Sequence, residues 1–155
     1  MIDYQAIWDE VIANFQCGLT SVHGPGHWKR VERNGLQIAA ENRADQDVVK
    51  LFAVLHDARR FDENEDFMHA ERADRYAEAI RAAGKLSDLD DGRFNLLHDA
   101  LWRHAHGGIS DNPTIGACWD ADRLDLWRVG IIPHPSLMST DAGRRLAASA
   151  MIQEP

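Results

Sequence analysis

The segment LFAVLHDARR at positions 51–60 runs five consecutive apolar residues straight into His56 and Asp57. An imidazole and a carboxylate are costly to bury unless something pairs with them. The chain holds eight histidines, and helical spacing sets several of them on apolar stripes, because residues three or four apart share a helix face. His27 lines up with Val31 and Ile38, and His56 and Asp57 continue the stripe of Val49, Phe52 and Ala53. His69 aligns with Ala73, Tyr76 and Ile80, and His104 follows Leu97 and Leu101. In DADRLD three aspartates compete. Asp122 falls between Ile115, Cys118 and Trp119 on one side and Leu126 and Val129 on the other. Asp120 points nearly opposite, toward solvent, and Asp125 lies on the flank, where it can orient a ligand from behind.

A single histidine on an apolar face is ordinarily a hydrogen-bonded core residue. Five helices that each aim a histidine or carboxylate inward are different, since several unpaired buried polar groups would cost a few kcal/mol each. One divalent cation turns them into ligands. Imidazole and carboxylate suit Zn, Fe, Mn, Co or Ni, and two His with two Asp leave positions open on a six-coordinate ion. Open positions imply chemistry rather than a structural role. His23 precedes a Gly-Pro-Gly turn and is placed at the mouth of a cleft, and His98 lies about 60° off the Leu101 line. His106 reads as solvated and His134, between prolines, as a surface turn residue. HExxH, ExxH, GxSxG and Gly-rich phosphate loops are absent. Cys118 reads as a small buried apolar residue rather than a nucleophile, and the five tryptophans as core.

The elements that must position these groups are helices. No stretch alternates apolar and polar residues long enough for a strand. Ile7, Val11 and Phe15 define a first helix, broken by CGLTSVHGPG. A second runs from near His27 to about Asn42, and a third, over 45–58, is buried nearly all round. A fourth covers 68–83 with Gly84 closing it, and a fifth follows LSDLDDG and ends before Gly107. The DNP at 111–113 opens a sixth that extends to about Val129, and Thr140 or Asp141 caps the last. The expected fold is all-α, a compact bundle of six or seven helices forming one domain over 1–155.

A net charge of −8 disfavours extended nucleic acid as a partner, yet a bound dication and a few arginines can reverse the sign within one cleft. The start MIDYQAIWDE has no signal-peptide character, no apolar run spans a membrane, and two isolated cysteines fit a reducing cytoplasm.

His27 in HWKRV, the His56–Asp57 pair in VLHDARR and Asp122 in DADRLD together resemble the HD superfamily of metal-dependent phosphohydrolases. The resemblance covers roughly residues 20–130. It implies an all-α HD-type domain whose H…HD…D quartet holds a divalent transition metal. Asp57 would then bridge to a second ion or orient water, and His69 and His104 match the positions that complete a second metal site or bind substrate phosphate. One or two ions per chain follow. The implied reaction is hydrolysis of a small phosphate ester, plausibly a nucleotide, by metal-activated water. Arg59, Arg60, Lys29 and Arg30, with His23 and His98, are the candidates for contacting substrate. A di-iron oxygenase on the same scaffold and a non-catalytic metal- or nucleotide-binding module are the alternatives. Some nucleotidase members carry a glutamate three residues after the HD aspartate, where this chain has Arg60, and no GYP-type signature follows.

Overall fold

A computed structural model describes residues 1–152, and among them there are seven α-helices, two 3-10 turns and no strand. The order is α1 (Tyr4–Asn14), α2 (Pro25–Asn42), α3 (Gln46–Leu55), α4 (His69–Ala82), α5 (Asp91–Arg103), α6 (Pro113–Arg123) and α7 (Asp141–Ile152). The 3-10 turns are Leu126–Val129 and Pro135–Leu137. No described helix is long and apolar enough to cross a membrane.

The ends follow from local chemistry. Asp3, Asp45, Asp90 and Asn112 each accept a backbone N–H from the first turn of the helix they precede. Pro25 and Pro113 occupy first turns, where no donor is lost. Gly84, at φ +81°, closes α4 in the left-handed region.

Helix α3 is the axis of the bundle: Val48 to Leu55 are buried apart from the half-buried Lys50, and α1, α2, α4, α5 and α6 pack around it. A close approach is made at Gly35 on α2, where an added Cβ would come within 2.5 Å of Val49 Cγ1 and 3.4 Å of Ala121 Cβ. That position fixes α2 against both α3 and α6.

Two expectations are corrected here. Helix α6 stops at Arg123 instead of reaching Val129; the chain turns through Leu124 and Asp125 into a 3-10 segment, and Val129 is exposed. Of the five tryptophans, Trp28 and Trp119 are core, whereas Trp102 and Trp127 are exposed.

Candidate metal centre

The groups of interest all sit at helix ends on one side of the bundle. His27 is in the first turn of α2, His56 caps the C-terminus of α3 and Asp57 follows it. His69 opens α4, His104 caps the C-terminus of α5, and Asp122 lies in the last turn of α6. At a helix C-terminus the last carbonyls lack onward partners, and here they hold the rings. His56 Nδ1–H donates to Phe52 O (3.2 Å) and Ala53 O (3.0 Å), and His104 Nδ1–H donates to Leu101 O at 2.7 Å. His69 Nδ1–H donates to Asp66 O at 2.6 Å, and His27 Nδ1–H to the Asp125 carboxylate at 2.7 Å.

A carbonyl only accepts, so Nδ1 must carry the hydrogen and Nε2 of the neutral ring keeps its lone pair. Four such Nε2 atoms converge. His27 and His56 face each other at 3.0 Å, and His69 and His104 at 3.1 Å. Two lone pairs at that distance repel, so a positive charge has to lie between them, a proton or a metal ion. Asp57, almost fully buried, stands between the pairs. Its Oδ2 is 3.6 Å from His27 Nε2 and 3.5 Å from His56 Nε2, while its Oδ1 is 3.6 Å from His69 Nε2 and 4.0 Å from His104 Nε2. Asp122 Oδ1 closes the first pair, 3.2 Å from His27 and 3.6 Å from His56.

This donor set fits a divalent metal. Ligands about 2.1 Å from one ion lie about 3.0 Å apart at right angles and about 3.4 Å apart in a tetrahedron; the separations around His27 and His56 run from 3.0 to 3.6 Å, at that spacing or a few tenths of an ångström beyond it. His27, His56 and Asp57 form one possible cluster and Asp57, His69 and His104 a second, with Asp57 common to both.

The electrostatics point the same way. Burial opposes charge on Asp57, yet positive charge on the His56 and His27 pair holds its carboxyl far below the usual range. Burial opposes charge on Asp122 too, and His27 and His56 likewise hold it well below. On His27 burial works against protonation, but Asp122 and Asp125 outweigh it and raise the imidazole. That half of the cluster demands a cation. Burial, with charge on His56, pushes His104 down to about 4, and burial lowers His69 as well, so both rings are neutral.

A solved structure described as a predicted HD superfamily hydrolase, from an uncultured Thermotogales bacterium, superposes with a TM-score of 0.76. The match covers 96% of this chain and 84% of that one, at 24% sequence identity. This chain has the HD-superfamily fold. No protein-family model and no curated protein sequence matches it.

Within the HD fold several candidate residues lie at the cluster and others do not. His23 is buried at its edge: Nε2–H donates to Glu63 O at 2.9 Å, and Nδ1, without a hydrogen-bond partner, faces Asp57 Oδ2 at 3.3 Å. Arg60 is buried beside the second pair, its Nη1 3.9 Å from Asp57 Oδ1. Arg30 supports the site from behind, with Nε donating to Asp125 Oδ1 at 2.8 Å. Lys29 instead lines a groove between α1 and α2 with Trp8 and Leu36. Arg59 lies over the rings of Phe61 and Tyr76, beside a hollow shared with Glu10 and Arg75. His98 pairs with the buried Asp74 at 2.8 Å, between α4 and α5, away from the cluster.

Asp120 requires a further correction. It faces away from the histidines, but it is fully buried rather than exposed. Its oxygens accept Ser139 N (2.7 Å), Thr140 N (2.8 Å) and Thr140 Oγ1 (2.7 Å), pinning the entry to α7. The last segment covers the far side of α6, and no stripe on α6 itself announces that. Arg128 is a site residue that the sequence pattern missed. Its Nη2 is 3.8 Å from Asp122 Oδ1, and its other nitrogens donate to Val22 O and Asp125 O. It reaches Asp122 only because α6 breaks at Leu124; on a continuous helix the two are six residues and some 240° apart.

Proposed function

We propose that this protein is a metal-dependent hydrolase of a small phosphate ester such as a nucleotide. The observation that carries the reading is the convergence of four Nε2 atoms on the two oxygens of one buried carboxylate. His27, His56, Asp122 and Asp57 would hold a first divalent ion, and Asp57, His69 and His104 a second. When bound, such an ion supplies Lewis acidity toward a phosphoryl oxygen and lowers the pKa of water to near neutrality.

The chain's own groups do the rest. Nδ1–H bonds to Phe52, Ala53, Asp66, Leu101 and Asp125 fix the rings before any ligand arrives. Neutral His69 and His104 offer lone pairs and no hydrogen, which favours metal ligation over binding of phosphate oxygens. Asp57 Oδ2 and His23 Nδ1 are both acceptors and would orient the hydrogens of an attacking water. Arg128, whose guanidinium stands beside Asp122, is the cation best placed to meet a phosphate oxygen.

The test is metal analysis of protein purified without chelator, then a screen of phosphate mono- and diesters with Mn, Co, Ni, Mg and Zn. At least one transition-metal equivalent and turnover lost in Asp122→Asn are expected. Less than about a tenth of an equivalent, with no uptake of added metal, would return the chain to the non-catalytic alternative. The twin clusters joined by Asp57 also keep the di-iron oxygenase reading open; oxygen uptake by iron-loaded protein without phosphate release would favour it.

A further inference from the structure

We propose that Arg60 makes the two halves of the cluster unequal, so that a divalent ion binds the His27–His56–Asp122 half on the order of 100-fold more tightly than the His69–His104 half. The inference rests on the metal reading above and concerns what this chain's own charges do to it.

Arg60 is buried and held in place. Its Nε donates to Asp62 O at 2.8 Å and its Nη2 to Asn64 O at 2.9 Å, so the loop after the His-Asp pair wraps the guanidinium. The remaining nitrogen, Nη1, lies 3.4 Å from His69 Nδ1 and 3.9 Å from Asp57 Oδ1. A guanidinium cannot relieve repulsion by losing its proton. Among the described residues its carboxylate partner is Asp57, the one carboxylate that the second half has. Asp66, nearby, is engaged by Arg72. An ion between His69 and His104 would therefore meet one carboxylate already paired with a fixed cation.

The first half is differently balanced. Besides the shared Asp57 it has Asp122 in contact with both rings and Asp125 behind His27. Two arginines oppose them, Arg128 at 3.8 Å from Asp122 and Arg30 on Asp125. Leaving the shared Asp57 aside, the first half sets two carboxylates against two guanidinium groups, whereas the second sets none against Arg60, so the halves differ by one unit of positive charge. Unit charge against a doubly charged ion across about 6 Å, at an effective dielectric constant of about 20–40, amounts to a factor of 100 or more.

Calorimetric titration of the chelator-treated, dialysed full chain with Mn²⁺, followed in parallel by the Mn²⁺ paramagnetic resonance signal, tests this. Wild type should show one tight and one weak site, separated by about 100-fold. Arg60→Gln should tighten the weak site until the separation falls to about tenfold or less, whereas Arg60→Lys, which keeps the charge, should retain it. Circular dichroism checks folding, and Arg60→Met supplies the neutral comparison if the Gln variant is unstable. Two equal sites in wild type would overturn the proposal whatever the variants do. So would an unchanged separation in the neutral variant, or a Lys variant that behaves like Gln, which would assign the effect to loop anchoring. Failure of wild type to bind any Mn²⁺ is a different result, one that removes the metal reading itself.

Discussion

Asp120 and Asp122 are two residues apart on α6, both carboxylates, and the fold gives them opposite tasks. Asp120→Ala removes the acceptor for two backbone N–H groups and one hydroxyl, at Ser139 and Thr140. Hydrogen bonds to a charged acceptor contribute roughly 1.5–3 kcal/mol each when buried. The Ser139–Thr140 segment borders an open hollow with Asp141 and Arg144, so water can satisfy part of what is lost. A net cost of about 3 kcal/mol follows, or roughly 6–12 °C in melting temperature for a chain of this size. Metal content should stay at the wild-type level, because Asp120 touches none of the converging rings. Asp122→Asn should do the reverse. It keeps the side chain's size but loses the anionic oxygen that faces His27 and His56, and should weaken metal binding on the order of 100-fold. The assay is differential scanning calorimetry beside metal analysis on both variants and wild type. Metal loss in Asp120→Ala without a melting shift, or a large melting shift in metal-free Asp122→Asn, would refute the assignment of these two faces.

The remaining predictions concern the same end of the bundle. His69→Ala or His104→Ala should remove the weaker metal equivalent and leave the tighter one, read by stoichiometry; equal loss of both would contradict the separate clusters. In chelator-treated protein, neutral buried His104 has its folded pKa at about 4 against an unfolded value of 6.5. The unfolded chain takes up that proton first, so this residue's contribution to stability falls as pH drops from about 6.5 to 4 and levels below. His104→Gln should flatten that part of the melting-temperature curve against pH, and an unchanged curve would contradict it. Gly35→Ala puts a methyl 2.5 Å from Val49 Cγ1 and should cost about 1–3 kcal/mol while also loosening metal binding, since it pushes α2, which bears His27, away from α3. A melting loss with wild-type metal affinity would show that the gap closes by side-chain motion alone.

What the sequence determined by itself was the helical class, most helix ends and the inward set His27, His56, His69, His104 and Asp122. Those follow from local rules: apolar spacing of three and four, capping Asp and Asn, and the cost of burying polar groups unpaired. They act within one helix, so one sequence suffices. Tertiary structure decided the rest. It set which oxygen of Asp57 meets which ring pair, and it took Lys29, Arg59 and His98 away from the cluster. It brought Arg128 in, because α6 ends nearly two turns sooner than its stripe suggests. Asp120 lies on the face that helical geometry requires, opposite the histidines, and is buried all the same. Burial depends on what packs from elsewhere in the chain, here the segment entering α7, and helical periodicity carries no information about that.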